Sequence, residues 1–173
     1  VALGLAAGFM EPLESTSIHL INTGINKLVA LLSLDGITPT QQNAYNRFTI
    51  KEYERIRDFL ILHYNATERN DSEFWNYCRT MDVPETLTEK VELFRTNGQI
   101  FREEDELFTE TSWAAVMMGQ GIDMQGSRPV AGALDPVALK PEIDGMEQSI
   151  RFLVQRMPGH GDFLSRYCPA PLS

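Results

Sequence analysis

Apolar residues return every three or four positions in two long stretches of this chain, and that period most restricts the folds open to it. Ile18, Ile21, Ile25, Leu28 and Leu32 form the first series; Ile143, Met146, Ile150, Leu153 and Met157 form the second. Such spacing lines up side chains on one face of an α-helix, whereas a half-buried strand needs strict alternation. Ser15, Thr16 and Ser17 offer N-cap hydroxyls to the first series, and Asp35-Gly36 with Pro39 end it. A further helix is expected from about Thr49 to Asn65, with Tyr53, Ile56, Leu60 and His63 on its inner face and Glu52, Arg55 and Asp58 on a solvated side. Asn70-Asp71-Ser72 caps a short aromatic helix holding Phe74, Trp75 and Tyr77. Pro84 stands near the first turn of another, with Leu87, Val91 and Phe94 inward and Asn97-Gly98 as its stop. Trp113 to Met118 is an apolar run, Asp123 to Asp135 reads as a loop, and Pro158-Gly159 separates the second long series from a short helix with Phe163 and Tyr167. The fold class is mainly α.

Composition narrows the function by exclusion. A chain of 173 residues can bury a core and form one domain with a small appendage. The net charge is -9, and the 11 Arg and 4 Lys are scattered, so no phosphate-binding surface and no nucleic-acid partner are expected. Cys78 and Cys168 are far apart and outside any CxxC, which fits reduced thiols in a cytoplasmic protein rather than a disulfide framework or zinc site. His19, His63 and His160 lack paired acid or thiol spacing, so no metal is expected and each reads as an ordinary structural histidine. No apolar run reaches the ~18 residues of a membrane span. The chain opens on Val1 inside an apolar segment without a basic flank, a poor signal peptide that reads as a piece cut from a longer sequence.

The densest segment is Gly8-Phe9-Met10-Glu11-Pro12-Leu13-Glu14-Ser15-Thr16-Ser17. The small residues Gly4, Ala6, Ala7 and Gly8 let backbone approach a partner element or a flat ligand. Two carboxylates precede a helix whose first N–H groups, from Thr16 and Ser17, point back towards them and attract an anion. On spacing alone, Glu14 either caps that helix or serves chemistry beside it.

The segment GFMEPLESTSIHLI resembles the signature stretch of the flavin-dependent tryptophan halogenase family. Arg57-Asp58-Phe59 with His63-Tyr64, DSEFWNYCR at 71–79, the region 84–95, and Leu107-Phe108 through Ser112-Trp113 to Gly119-Gln120-Gly121-Ile122 resemble the family's later blocks in the same order. The resemblance implies a helical carboxy-terminal part of a flavin monooxygenase-like α/β halogenase with the amino-terminal FAD-binding domain absent. Residues 1–17 would be a remnant of that domain and 18–173 the helical domain. It implies that Glu14 is the catalytic carboxylate, that backbone N–H groups of Thr16 and Ser17 bind halide, and that Gly8, Phe9, Met10, Glu11 and Pro12 lie against FAD. Many members have glycine where this chain has Ser17, a residue less tolerant of positive φ.

The family's activity implies a halide ion, a small aromatic substrate, and reduced FAD supplied by a separate flavin reductase. Halide is oxidised to hypohalous acid, which a lysine receives beside the glutamate, and the halogenated ring then loses a proton to the carboxylate. No GxGxxG and no WxWxIP occurs here, and none of Lys27, Lys51, Lys90 and Lys140 stands in the lysine's context, so this piece alone is expected to be inactive. Members acting on free tryptophan hold its backbone with two tyrosines and a glutamate. Glu103 matches that glutamate and Phe108 an aromatic wall, but the tyrosine pair has no counterpart. Glu103 is otherwise a solvated member of the run Glu103-Glu104-Asp105-Glu106, and Trp75 and Trp113 read as core aromatics. A flavin hydroxylase on the same scaffold and a helical interaction domain without catalysis are the competing readings.

Overall fold

The computed structural model of the chain describes residues 1–103 and 106–169. These fall into two compact units, Val1–Arg128 and Pro129–Ser173. Among the described residues there is no strand, only an isolated bridge between Ser33 and Gly36. No helix among them is long and apolar enough to cross a membrane. Both cysteines are free thiols, Cys78 buried and Cys168 exposed.

The first unit is built on α1 (Thr16–Leu31) and α2 (Pro39–Asn65), with α3 (Glu73–Thr80), α4 (Glu85–Asn97) and α5 (Glu110–Gly119) around them. The start of α2 differs from expectation. Pro39 opens this helix, which therefore begins at Pro39 rather than Thr49. Thr38 and Gln41 form a reciprocal capping box there, and Pro39 sits where a helix needs no N–H donor. Ser72 accepts from the Trp75 N–H and caps α3. Gly98, at φ 72°, terminates α4 in the left-handed conformation that glycine adopts without strain.

The apolar series on α1 is turned outward: Ile18 is 77% exposed, and Ile21, Ile25 and Leu32 are exposed with it. The buried side carries Thr16, Leu20 and Gly24. At Gly24 a Cβ would meet Leu3 Cδ2 at 3.1 Å and the Tyr45 hydroxyl at 3.4 Å, so the small residue permits the close approach. The supposed solvated side of α2 is wrong, because Glu52 and Asp58 are each only 7% exposed. Each has partners that offset desolvation. Glu52 takes Lys27, Thr23 and His19 from α1; Asp58 takes the Arg57 guanidinium and the Thr86 hydroxyl.

The core lies around α2 in two clusters. Phe59, Leu62, Leu87, Phe94, Ile100, Trp113 and Met117 form one cluster. Leu20, Ile56 and Leu60 form another, against which Met10, Leu13 and Tyr53 pack. Trp113 is 1% exposed, as a core aromatic should be. In the second unit, α6 (Pro129–Gly132) interrupts the expected loop, and α7 (Pro136–Arg156) and α8 (His160–Tyr167) follow. The Asp135 carboxylate accepts from the Val137 N–H and starts α7, whose stripe of Ile143, Met146, Ile150, Leu153 and Met157 is exposed.

Candidate functional site

The turn from Glu11 into α1 carries the unusual backbone of this protein. Leu13–Ser15 makes a 3-10 turn in which Glu14 lies at φ 63°, ψ 6° and Ser15 at φ 54°, ψ 34°. They are the positive-φ non-glycine residues of the described chain, and they are consecutive. Each such residue costs about 1–3 kcal/mol and persists only where its surroundings over-determine it. Those surroundings are visible. Leu13 and Met10 pack on Leu20, Ile56 and Leu60, the Glu11 carboxylate accepts from the Leu13 N–H at 3.2 Å, and the Ser15 N–H donates to Pro12 O at 2.8 Å.

This geometry bears on whether Glu14 caps the helix. Ser15 occupies the cap position and no side-chain cap bond is formed there. The Glu14 carboxylate, 43% exposed, instead points to α2, with Oε1 at 3.6 Å from His63 Nε2. Thr16 and Ser17 are the first two residues of α1, so their N–H groups have no acceptor within the helix and carry its positive end. The positive φ expected to trouble Ser17 falls on Glu14 and Ser15, and Ser17 is helical. Thr16 is buried, and its hydroxyl has no hydrogen-bond partner.

The preceding segment is open on one side. Gly8, Phe9 and Pro12 are exposed, Phe9 at 74%, while Met10 and Glu11 are half-buried. Gly4, at φ 59°, bends the chain back over Ile21, whose Cγ1 would lie 3.2 Å from an added Cβ. Below it, burial and then the Glu11 carboxylate push the Tyr64 hydroxyl above the usual tyrosine range.

The two substrate candidates sit in different surroundings. The Glu103 carboxylate is bound by Arg55 and, at 3.1 Å, by Lys51; Arg55 first and Lys51 second hold it below the usual glutamate range. Of its acidic run, Glu104 and Asp105 lie outside the described residues, and Glu106 is buried against Lys90 at 2.7 Å rather than solvated. Phe108 stacks on Phe59 with ring centroids 3.8 Å apart, and Phe59 meets both Trp113 and His63 edge-on at 4.8 Å. Glu14, His63, Phe59 and Phe108 are therefore contiguous, and Glu103 stands with the α2 cations instead.

Sequence reasoning set His63 aside as an ordinary structural histidine and did not single out Phe59 for the site. The His63 Nδ1 donates to Phe59 O at 2.8 Å, one turn back on α2, a spacing that shows its placement but not its partner. Each lysine is paired with a carboxylate other than Glu14: Lys27 with Glu52, Lys51 with Glu103, Lys90 with Glu106 and Lys140 with Asp144. Among the described residues no group of acids, histidines and thiols is arranged to hold a metal.

Known proteins resemble this chain in sequence and in fold. The family profile described as tryptophan halogenase matches residues 1–136. Tryptophan 6-halogenase SttH from Streptomyces toxytricini is 30% identical over 171 residues, 95% of this chain and 32% of its own length. A solved flavin-dependent halogenase from Xanthomonas campestris superposes with a TM-score of 0.93 at 46% identity, covering 100% of this chain and 35% of its own. Another, BrvH from Brevundimonas, gives 0.88 at 44% identity, covering 95% and 34%. The chain thus spans about a third of the length of the relatives it matches, and its helical fold is that part of theirs. By the profile match, the sequence identity and the shared fold together, the chain belongs to the tryptophan halogenase family.

Proposed function

We propose that this chain is part of a flavin-dependent halogenase that places chloride or bromide on an electron-rich aromatic such as an indole, with Glu14 as the carboxylate that serves the reacting ring. The observation that carries this reading is the left-handed pair Glu14-Ser15, which spends conformational energy to hold one carboxylate out of the turn ahead of a helix start.

Reduced FAD, delivered by a separate flavin reductase, would supply with dioxygen the oxidising equivalent that turns halide into hypohalous acid. Gly8, Phe9, Met10, Glu11 and Pro12 would face it. Their fit rests on the open side of that segment, where Gly8 and the exposed Phe9 leave backbone and an aromatic face accessible. Residues 1–17 then belong with a flavin-binding part and the helices that follow with the substrate side. The N–H groups of Thr16 and Ser17 would hold the halide, since a helix start favours an anion.

When the ring carbon attacks the halogen, positive charge develops on the ring and a C–H proton becomes acidic. A carboxylate fixed beside that carbon stabilises the charge and removes the proton, re-forming the aromatic system. Phe108, backed by Phe59, offers a flat wall for the ring. Glu103 is engaged by Lys51 and Arg55, which leaves it poorly suited to an amino-acid ammonium group and favours indoles other than free tryptophan, or phenols and peptide-borne aromatics.

The test is Glu14→Gln in the complete flavin-loaded protein, with reduced flavin, oxygen, bromide and indole. General-base help is worth ~10²–10⁴-fold, so turnover should fall by at least the lower figure. Turnover at the wild-type rate would remove Glu14 from the mechanism.

A further inference from the structure

We infer that His63 takes over from Glu14 the proton that Glu14 removes from the aromatic ring, and so acts as the positioning residue that returns this carboxylate to its working state. The inference rests on the reading of Glu14 given above.

Hydrogen-bond chemistry restricts what His63 can do. Nδ1 lies 2.8 Å from the Phe59 carbonyl oxygen. A carbonyl only accepts, so Nδ1 carries a hydrogen and donates it. The protonation state of the ring therefore changes at Nε2 alone, and Nε2 is the atom that faces Glu14 Oε1. The 3.6 Å separation is about half an ångström beyond an ordinary hydrogen bond, so a small approach brings the two atoms into bonding range.

Once Glu14 has taken the ring proton, its O–H can donate to Nε2. The O–H bond then breaks as the N–H bond forms, giving a carboxylate beside an imidazolium. An imidazole nitrogen is a stronger base than a carboxylate oxygen, so the transfer runs in this direction. The imidazolium afterwards releases the proton to water, and Glu14 is again anionic for the next ring.

The imidazole is also held in place for this role. Its side chain is 16% exposed, its ring meets the edge of Phe59 at 4.8 Å and 81°, and Phe59 is fixed in turn by Phe108 and Trp113. With Nδ1 anchored on α2 and the ring wedged on Phe59, Nε2 has one direction to point, and Glu14 is there.

The complete flavin-loaded protein tests this with bromide and indole, in H2O and in D2O. His63→Asn keeps a short donor for Phe59 O but has no base at the Nε2 position. We expect kcat to fall about tenfold or more, a part of what a positioned proton acceptor is worth. KM for indole should stay unchanged, and the variant should turn over more slowly in D2O than in H2O while the wild type does not, because release of the exchangeable Glu14 proton has become the slow step. Wild-type kcat in the variant, or a lower kcat without the isotope effect, overturns the inference. Should the variant fold poorly, 15N NMR of the wild-type protein decides: a neutral His63 protonated at Nε2 rather than Nδ1 overturns it equally. Loss of bromination in Glu14→Gln with full activity in His63→Asn sinks this inference alone, whereas a wild type that brominates no indole sinks the reading of Glu14 and this inference with it.

Discussion

Glu52→Ala should destabilise the first unit by about 2 kcal/mol, a figure set between the limits for buried and exposed ion pairs. Breaking a fully buried pair costs ~3–5 kcal/mol, and losing an exposed one ~0–1 kcal/mol. Glu52 is itself buried and accepts from Lys27 Nζ at 2.5 Å, Thr23 Oγ1 at 3.0 Å and His19 Nε2 at 3.1 Å. These donors succeed one another at four-residue steps, so one carboxylate on α2 ties a whole row of α1. Its partners keep some water, the Lys27 side chain being 25% exposed and His19 34%, which brings the cost below the buried limit. At roughly 2–4 °C per kcal/mol for a chain of this size, the melting temperature should drop by about 6 °C. Thermal melts followed by circular dichroism read this directly. Lys27→Met with Glu52→Leu should regain much of the loss, because then neither charge is stranded and the seam is apolar. A Glu52→Ala melt within the ~0.5 kcal/mol of an ordinary surface change, or a double variant less stable than the single one, would refute the reasoning.

Substitutions at two further positions probe the strained turn and the ion pairs of Glu103. Ser15→Gly should stabilise the protein by about 0.5–1 kcal/mol in denaturant titration, since the ~1–2 kcal/mol steric cost of a left-handed residue outweighs the added freedom of the unfolded glycine; Ser15→Ala, which removes a hydroxyl that caps nothing, should not. Glu103→Gln should cost about 0.5 kcal/mol at pH 7, a small value because that side chain is 56% exposed. Arg55 and Lys51 depress the folded value of Glu103, so its contribution is present above the usual 4.5 and is lost as pH falls through the lower folded value. Stability curves of wild type and variant should therefore converge below that range, and a gap that widens in acid would contradict the assignment.

Periodicity reveals which residues share a face, and much of the fold follows from that alone. The inner face of α2, the cap at Ser72, the inward set on α4 and the boundaries of α7 all stand where the sequence puts them. Periodicity does not reveal which face turns inward. On α1 the apolar stripe of Ile18 and Ile21 is exposed, and the packed side is the one whose small Gly24 lets Leu3 and Tyr45 approach. Glu52 and Asp58 fail for a related reason. Their spacing matches that of a solvated face, and only partners distant in sequence, Lys27 for one and Thr86 for the other, make burial tolerable.

The site divides along the same line. EPLES is legible because its residue types and order are specific, yet nothing in Glu14-Ser15 announces two left-handed residues, since neither side chain favours that conformation. The strain is imposed from outside, by Leu13 and Met10 seated on α2 and by Pro12 and Glu11 holding the turn closed. The same α2 presents His63 to the carboxylate. One helix thus both forces Glu14 into its costly conformation and supplies the group that faces it, so the position of Glu14 depends on the packing of Leu60 and Ile56 as much as on its own turn. A core change there, such as one that loosens Leu13, would move the carboxylate relative to Nε2 while leaving every residue of the motif intact.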